Sequence, residues 1–209
     1  MALVQLLRRL LPPRRLLRRR PARPRRPTSP SDSVTASGSP LFHVVLHQPE
    51  IPNNTGNIGR TCIATACSLH LVRPLGFDTS DKECRRAGLD YWPRLGVQEH
   101  DSLNQCLNGL GRRPWVFTTR TERCYFDAAF APGDVLLFGK ETAGLDADIL
   151  DQYPDRLVRM PMVAGERSLN LATAVCAVIY EGIRQLQQRG DLTIGPGCTI
   201  ARTQGTLRP

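Results

Sequence analysis

The chain consists of short apolar runs, each followed by a polar loop and a stretch with helical spacing. Residues 41–46 (LFHVVL) are typical of a buried strand, and residues 48–57 interrupt the apolar pattern with two prolines, three asparagines and a glycine. Small and apolar residues then recur at helical spacing through residues 58–67, and residues 68–73 alternate as in a strand. This order of elements predicts an α/β fold with a mostly parallel sheet.

The rest of the chain continues this alternation. Strand patterns occur at residues 114–119, 134–138 and 156–160, and helical patterns at residues 81–89, 101–110 and 169–188. We expect one catalytic-size domain over residues 41–190, with helices on both faces of its sheet. Residues 191–209 contain glycine, proline and few apolar side chains, and we expect a flexible C-terminal tail there.

The formal charge of +9 comes from the first 40 residues, which hold ten Arg, no Lys and one acid, Asp32. Out of 28 basic and 19 acidic residues, 18 of each remain for residues 41–209, so net charge is no evidence for RNA binding by the domain. Residues 1–26 mix Leu with Arg, and a Ser/Thr/Pro stretch follows, as in a transit peptide. No apolar run is long enough to span a bilayer.

We therefore interpret residues 1–40 as a disordered, Arg-rich targeting segment and expect the chain to reach the mitochondrial matrix. The chloroplast is the alternative destination. Alternatively, the same residues form a basic arm that binds RNA directly.

Seven cysteines and four histidines are spread along the chain. The cysteines include no C-x-x-C pair, and the histidines lack metal-ligand spacing. We predict neither a disulfide framework nor a metal site, and we interpret most of the cysteines as small buried residues in a reducing compartment.

Three polar loops are the candidate functional segments. Residues 53–60 (NNTGNIGR) are predicted to enter a helix with Arg60 on its first turn, beside the helix N-terminus. This arrangement suits a phosphate or an RNA backbone, although the same residues could serve only to shape a turn and cap the helix. Residues 138–145 (FGKETAGL) follow a strand, and there Glu141 could orient a polar group, pair with Arg60 or lie exposed.

The third loop, residues 160–170, opens the last helical pattern, and Ser168 or Asn170 could cap that helix. Capping alone would explain both residues. However, ligands of open α/β sheets bind beyond the carboxyl ends of the strands, so we predict that the three loops share one site.

In this order, the three loops resemble motifs 1, 2 and 3 of the SPOUT-superfamily methyltransferases. The segments PEIPNNTGNIGR, RRAGLDYW, FGKETAGL, MPMV, RSLN and VIYEGIRQL resemble the tRNA 2'-O-methyltransferases that act on the wobble-position cytidine or uridine. The resemblance covers nearly all of residues 42–188. It implies S-adenosylmethionine as the cofactor, a C-terminal trefoil knot and an obligate homodimer with a shared active site.

The resemblance also assigns roles to individual residues. The implied cofactor pocket consists of Phe117, Thr118, Gly139, Glu141, Gly144, Met160, Met162, Ser168 and Leu169. The implied catalytic residues are Asn57, Arg60, Ser168, Asn170 and, from the dimer partner, Tyr180. Asn54 and Glu141 are expected to position these groups. Because a guanidinium stays protonated, we favour a role for Arg60 in holding phosphate or polarising the hydroxyl, and we assign no residue as the base.

Contacts to the tRNA anticodon stem-loop are expected from Arg85, Arg86, Tyr91 and Trp92, although Trp92 could instead belong to the core or the dimer interface. The chain departs from the family pattern at Asn53, Lys140 and Ala143, which leaves the RNA target open. The same chemistry on rRNA is one alternative. A non-catalytic, knotted RNA-binding or ribosome-assembly protein is the other.

Overall fold

A six-stranded parallel sheet forms the centre of the computed structural model, which describes residues 39–79 and 92–203. Its strands are β1 (Phe42–His47), β2 (Ser68–Val72), β3 (Gln98–His100), β4 (Trp115–Phe117), β5 (Asp134–Phe138) and β6 (Leu157–Val158). Their order across the sheet is β3-β2-β1-β5-β4-β6. The predicted mostly parallel α/β architecture is confirmed, and the strand expected at residues 156–160 is shorter than predicted.

The described helices are α1 (Pro52–Ala64), α2 (Trp92–Leu95), α3 (Leu103–Leu110), α4 (Ala147–Asp151) and α5 (Leu171–Arg189). The helix predicted over 101–110 begins after Ser102, whose hydroxyl accepts from the backbone N–H of Gln105 at 3.2 Å. The helix predicted over 81–89 lies outside the described residues. None of the described helices is long and apolar enough to cross a membrane.

Apolar layers cover both faces of the sheet. Along β1, Phe42, Val44 and Leu46 belong to the layer that α1 and α5 complete. Val45 points to the opposite layer, which α3 and α4 complete. Successive side chains of a strand point to opposite faces of the sheet, so a strand with apolar residues throughout packs against a layer on each face. The prediction of helices on both faces is confirmed.

Helix α1 begins at Pro52, within the segment that the sequence pattern assigned to a loop. Proline suits the first helical position because its fixed φ matches the helix and its missing N–H is not needed there. Arg60 therefore lies in the third turn of α1, and the prediction that it sits beside the helix N-terminus is wrong. Asn53, Asn54 and Asn57 are helical residues as well.

Part of the C-terminal segment that we expected to be flexible is an antiparallel hairpin. Strand β7 (Leu192–Gly195) pairs with β8 (Thr199–Arg202), and Ile194 lies opposite Ile200. Leu192 is 1% exposed and belongs to the main core. Burial of this side chain anchors the hairpin, so the prediction of a loose tail is wrong for residues 192–202.

The order of the last strands places β4 between β5 and β6. The chain therefore leaves β4, forms β5 on one side and returns to form β6 on the other. This order accommodates the trefoil knot that the family resemblance implies. It also brings the carboxyl ends of three adjacent strands to one edge of the sheet.

Candidate active site

A cavity of about 570 Å³ opens at the carboxyl ends of β4, β5 and β6. This volume falls in the range of small-molecule sites. The loops after these strands and the start of α5 line it, together with the start of α1. The lining residues are Ile51, Asn54, Phe117, Thr118, Thr119, Arg120, Phe138, Gly139, Lys140, Glu141, Thr142, Ala143, Gly144, Leu145, Val158, Met160, Met162, Arg167, Ser168, Leu169, Asn170, Leu171 and Ala174.

The carboxylate of Glu141 occupies the N-terminus of α1. One oxygen, Oε2, accepts from the backbone N–H of Glu50 at 2.8 Å. The other, Oε1, accepts from the backbone N–H of Ile51 at 3.3 Å and from Nδ2 of Asn54 at 2.9 Å. The N-cap residue, Ile51, makes no side-chain hydrogen bond to this helix, so Glu141 supplies the negative charge that a helix N-terminus attracts. Of the roles considered for Glu141, orienting a polar group fits this geometry.

A second, reciprocal contact joins the same two segments. The carboxylate of Glu50 accepts from the backbone N–H of Thr142 and from its hydroxyl, both at 3.0 Å. Each segment therefore contributes one carboxylate that binds backbone N–H groups of the other. Five charge-assisted bonds, three of them from backbone N–H groups, fix the loop after β5 against the start of α1.

Asn54 extends the network to the third loop. Its Oδ1 accepts from Nδ2 of Asn170 at 2.9 Å, while its own Nδ2 donates to Glu141. Asn170 is also the N-cap of α5, because its Oδ1 accepts from the backbone N–H of Thr173 at 3.2 Å. The chain of bonds Glu141–Asn54–Asn170 thus connects all three loops, as the sequence predicted for a shared site.

Backbone proximity makes glycine necessary at position 139. A Cβ added to Gly139 would lie 2.2 Å from the carbonyl carbon of Gly144 and 2.5 Å from the backbone nitrogen of Leu145. The loop closes there because the N–H of Gly144, which has a φ of +70°, donates to the carbonyl of Lys140 at 2.9 Å. The turn exposes backbone at the cavity wall, where a ligand can reach it.

Flat apolar side chains form one wall of the cavity. The rings of Phe117 and Phe138 stack with centroids 4.5 Å apart and planes 9° apart. Leu169 also lines the cavity and leaves 44% of its surface exposed. An apolar slot beside exposed backbone groups suits a heteroaromatic ring with hydrogen-bonding edges.

Strand β1 ends on a buried histidine close to this edge of the sheet. His47 is 6% exposed, and its Nδ1 has no hydrogen-bond partner within the described residues. Burial lowers the pKa of His47; Asp146 raises it and Lys140 lowers it, to smaller extents. The imidazole is therefore neutral at physiological pH.

All nine residues predicted for the cofactor pocket line this cavity, as do Ser168 and Asn170 from the predicted catalytic set. The other three predicted catalytic residues are elsewhere. Asn57 and Arg60 lie on the exposed side of α1, and Tyr180 is 54% exposed on α5. The structure of a single chain therefore brings together the cofactor set but not the whole catalytic set.

The predicted tRNA contacts fall in two groups. Arg85, Arg86 and Tyr91 lie outside the described residues. Trp92 is 7% exposed and packs in the main core, so it presents little surface on which a base could stack. The core alternative considered for Trp92 fits this position, and the predicted stacking role does not.

Two arginines of the cavity are absent from the predicted set. Arg120 and Arg167 line it and are exposed to solvent. Both lie close to predicted cofactor residues: Arg120 follows Thr118 by two positions in the loop after β4, and Arg167 directly precedes Ser168. Their charge, combined with that position, is the sequence signal that could have identified them as groups for a phosphate-bearing ligand.

Comparisons with known proteins agree with this arrangement. The model of the SpoU rRNA Methylase family matches residues 41–180. A tRNA (cytidine(34)-2'-O)-methyltransferase of Methylovorus glucosotrophus (strain SIP3-4) is 47% identical over 147 residues, which make up 69% of this chain and 96% of the relative.

Two solved structures extend the similarity to three dimensions. One, described as "Structural insights into the 2-OH methylation of C/U34 on tRNA", is 45% identical, with a TM-score of 0.66. The match covers 73% of this chain and 100% of the solved chain. Another, a SpoU methyltransferase of Streptomyces viridochromogenes in complex with the cofactor AdoMet, is 26% identical with a TM-score of 0.59 and covers 71% of this chain and 58% of its own. Because the family match spans most of the domain and the wobble-position relatives align over nearly their whole length, the chain belongs to the SpoU methylase family.

Proposed function

We propose that this protein transfers the methyl group of S-adenosylmethionine to the ribose 2'-hydroxyl of a wobble-position cytidine or uridine of tRNA. The observation that carries the proposal is the single cavity that the three motif loops share through Glu141, Asn54 and Asn170. Relatives named for methylation of cytidine 34 support the substrate, since two of them match this chain over 96% and 97% of their length.

The cavity fits the cofactor in both size and chemistry. Stacked Phe117 and Phe138 offer an apolar wall for an adenine ring, and the turn around Gly139 offers backbone groups for its polar edge. S-adenosylmethionine, when bound, supplies an electrophilic methyl group on a sulfonium centre. The chain then has to hold the 2'-hydroxyl in line with that methyl group, which is an alignment task more than an acid–base one.

Ser168 and Asn170 are the cavity residues that we propose to face the ribose. Asn170 is held from two sides, by Thr173 and by Asn54, so its position does not depend on the substrate. Such preorganisation is what an alignment mechanism requires. Arg120 and Arg167 extend the site toward solvent with positive charge suited to the flanking phosphates.

We further propose that the active site is completed in a homodimer. Asn57, Arg60 and Tyr180 are exposed on α1 and α5, two helices that pack against each other, and none of the three lines the cavity of its own chain. A second copy could place such residues at the cavity mouth. Sedimentation equilibrium tests the assembly, and mixing two inactive variants tests the sharing.

For the mixing test, Asn170→Ala and Tyr180→Phe chains are unfolded together and refolded as a mixture. If each site takes these residues from different chains, half of the dimers are hybrids with one intact site, and about a quarter of the wild-type activity returns. If both residues act within one chain, no hybrid site is intact and activity stays at the level of the separate variants. That second result would contradict the shared site.

The substrate is tested by tritium transfer from labelled S-adenosylmethionine to organellar RNA separated into tRNA and rRNA. Label on a 2'-O-methylated pyrimidine at position 34 of tRNA supports the proposal. Label on rRNA would keep the reaction and replace the substrate. Cofactor binding without transfer to any RNA would instead favour a non-catalytic RNA-binding role.

We also propose that residues 1–40 direct the protein to the mitochondrial matrix, on the strength of their ten arginines and one acid. A fluorescent fusion of the full chain should colocalise with mitochondria, and a chain without residues 1–40 should not. If the shortened chain is still imported but binds RNA more weakly, the segment is an RNA-binding arm.

A further inference from the structure

Three histidines from adjacent strands meet in a row across the sheet. His70, on β2, is 1% exposed. Its Nε2 lies 3.0 Å from Nδ1 of His43 on β1, and its Nδ1 lies 3.1 Å from Nε2 of His100 on β3. The row lies on the side of the sheet that α3 covers, away from the cavity at the carboxyl ends of β4, β5 and β6.

Helix α3 adds a thiol to this row. Cys106 is fully buried, and its Sγ lies with one ring nitrogen each of His70 and His100 in a group whose members are all within 4.8 Å of one another. Donors around a tetrahedral zinc ion with two imidazoles and one thiolate are about 3.3–3.6 Å apart. Small side-chain rotations therefore suffice to converge these three donors.

The contacts of His70 are compatible with the tautomer that a ligand needs. If Nε2–H of His70 donates to Nδ1 of His43, the lone pair of its Nδ1 faces His100. Metal-binding histidines commonly donate their second ring N–H in this way, which fixes the ring and its tautomer. His43 would then orient the ligand without contacting the metal.

We propose that His70, His100 and Cys106 form a zinc site, with water or a further donor in the fourth position. A thiolate with two imidazoles suits zinc, whereas magnesium and calcium prefer carboxylate and carbonyl oxygens. His100 is partly exposed and provides the entry path. The ion would hold the edge strand β3 and helix α3 to the centre of the sheet, and this role does not depend on the proposed methyl transfer.

The test is zinc binding to the full, metal-stripped chain, measured by competition with a chromogenic chelator, and cobalt substitution measured by absorption. We expect one zinc per chain, visible d–d bands of tetrahedral cobalt and a thiolate-to-cobalt charge-transfer band. Cys106→Ala should abolish the charge-transfer band and weaken zinc binding at least tenfold. Cys62→Ala is the matched control, because Cys62 is equally buried but lies in the other apolar layer.

A second variant separates loss of the site from loss of the fold. His100→Ala removes a partly exposed side chain, so the chain should stay folded by circular dichroism while zinc no longer raises its melting temperature. Absence of zinc binding by the wild-type chain would overturn the proposal. So would zinc affinity and a charge-transfer band that survive in Cys106→Ala, since the metal would then lie elsewhere.

Discussion

Replacing Glu141 by glutamine tests the network that joins the three loops. The carboxylate has two acceptor oxygens and serves three N–H donors, from Glu50, Ile51 and Asn54. A glutamine side chain has the same shape but only one acceptor oxygen. Whichever way its amide is turned, an NH₂ group faces a donor on the other side.

The structure limits how the chain can adapt to this change. If the glutamine oxygen faces Asn54, the backbone N–H of Glu50 loses its partner. If it faces Glu50, the amide of Asn54 has to flip, and its bond from Asn170 is lost. Either outcome leaves at least one polar group unsatisfied and turns the remaining charge-assisted bonds into neutral ones.

We expect Glu141→Gln to lower the free energy of unfolding by about 1–3 kcal/mol, the range for one orphaned group in a half-buried site. The melting temperature should fall by about 3–10 °C. Calorimetric titration should show S-adenosylmethionine binding weakened by about tenfold, because the loop after β5 is no longer fixed. Glu166→Gln, the same change on an exposed loop residue, should alter neither quantity. Wild-type stability and affinity in Glu141→Gln would refute the role assigned to this network.

Three further predictions follow from the same geometry. Gly139→Ala should abolish cofactor binding in calorimetry because its Cβ would overlap the backbone of Gly144, whereas Gly109→Ala, with open space around the new Cβ, should bind normally. Asn170→Asp should keep the helix cap but lose the donor to Asn54, so the rate of methyl transfer should fall far more than the melting temperature does. An equal fall in melting temperature for Asn170→Asp and Asn170→Ala would contradict this. Burial lowers the pKa of His47, so the contribution of its neutral imidazole to stability is complete above the ordinary pKa of 6.5 and is lost as the pH falls through the lowered pKa. The urea midpoint of unfolding, measured from pH 8 to pH 4, should therefore decline less in His47→Gln than in the wild-type chain. Parallel pH profiles of the two chains would contradict this.

The three candidate loops were predictable because each follows a strand pattern, whereas the individual cofactor residues came from the family resemblance. Phe117, Gly139 and Met160 lie at or just beyond the carboxyl ends of β4, β5 and β6, and parallel strands carry their carboxyl ends to one edge. What pattern could not provide was the order of the strands. That order, which makes β4, β5 and β6 neighbours, is seen only in the folded structure.

The start of α1 could not be predicted from local sequence. Asparagine and glycine disfavour helix, and the residues before Pro52 offer no capping side chain. The group that satisfies this helix terminus is Glu141, which contacts Asn54 from 87 residues away. A contact over that separation leaves no signal in a window of neighbouring residues.

The histidine row escaped prediction for a related reason. His43, His70 and His100 are separated by 27 and 30 residues, far from the spacing of a local metal motif. In the parallel register of β1, β2 and β3 each histidine is displaced by two residues from the position directly opposite the next one, so the three form a diagonal row on one face of the sheet. Cys106 joins them only because α3 packs over these strands, which depends on the fold as a whole.

The most direct test of the proposed reaction compares two anticodon stem-loops that differ by a single oxygen atom. One carries a ribose at cytidine 34 and the other a 2'-deoxyribose, so that only the nucleophile is removed while bases and phosphates stay the same. We predict transfer of labelled methyl from S-adenosylmethionine to the ribose form, with 2'-O-methylcytidine as the product, and none to the deoxy form. Equal labelling of the two RNAs would place the methyl group on a base or another sugar and contradict the proposed reaction.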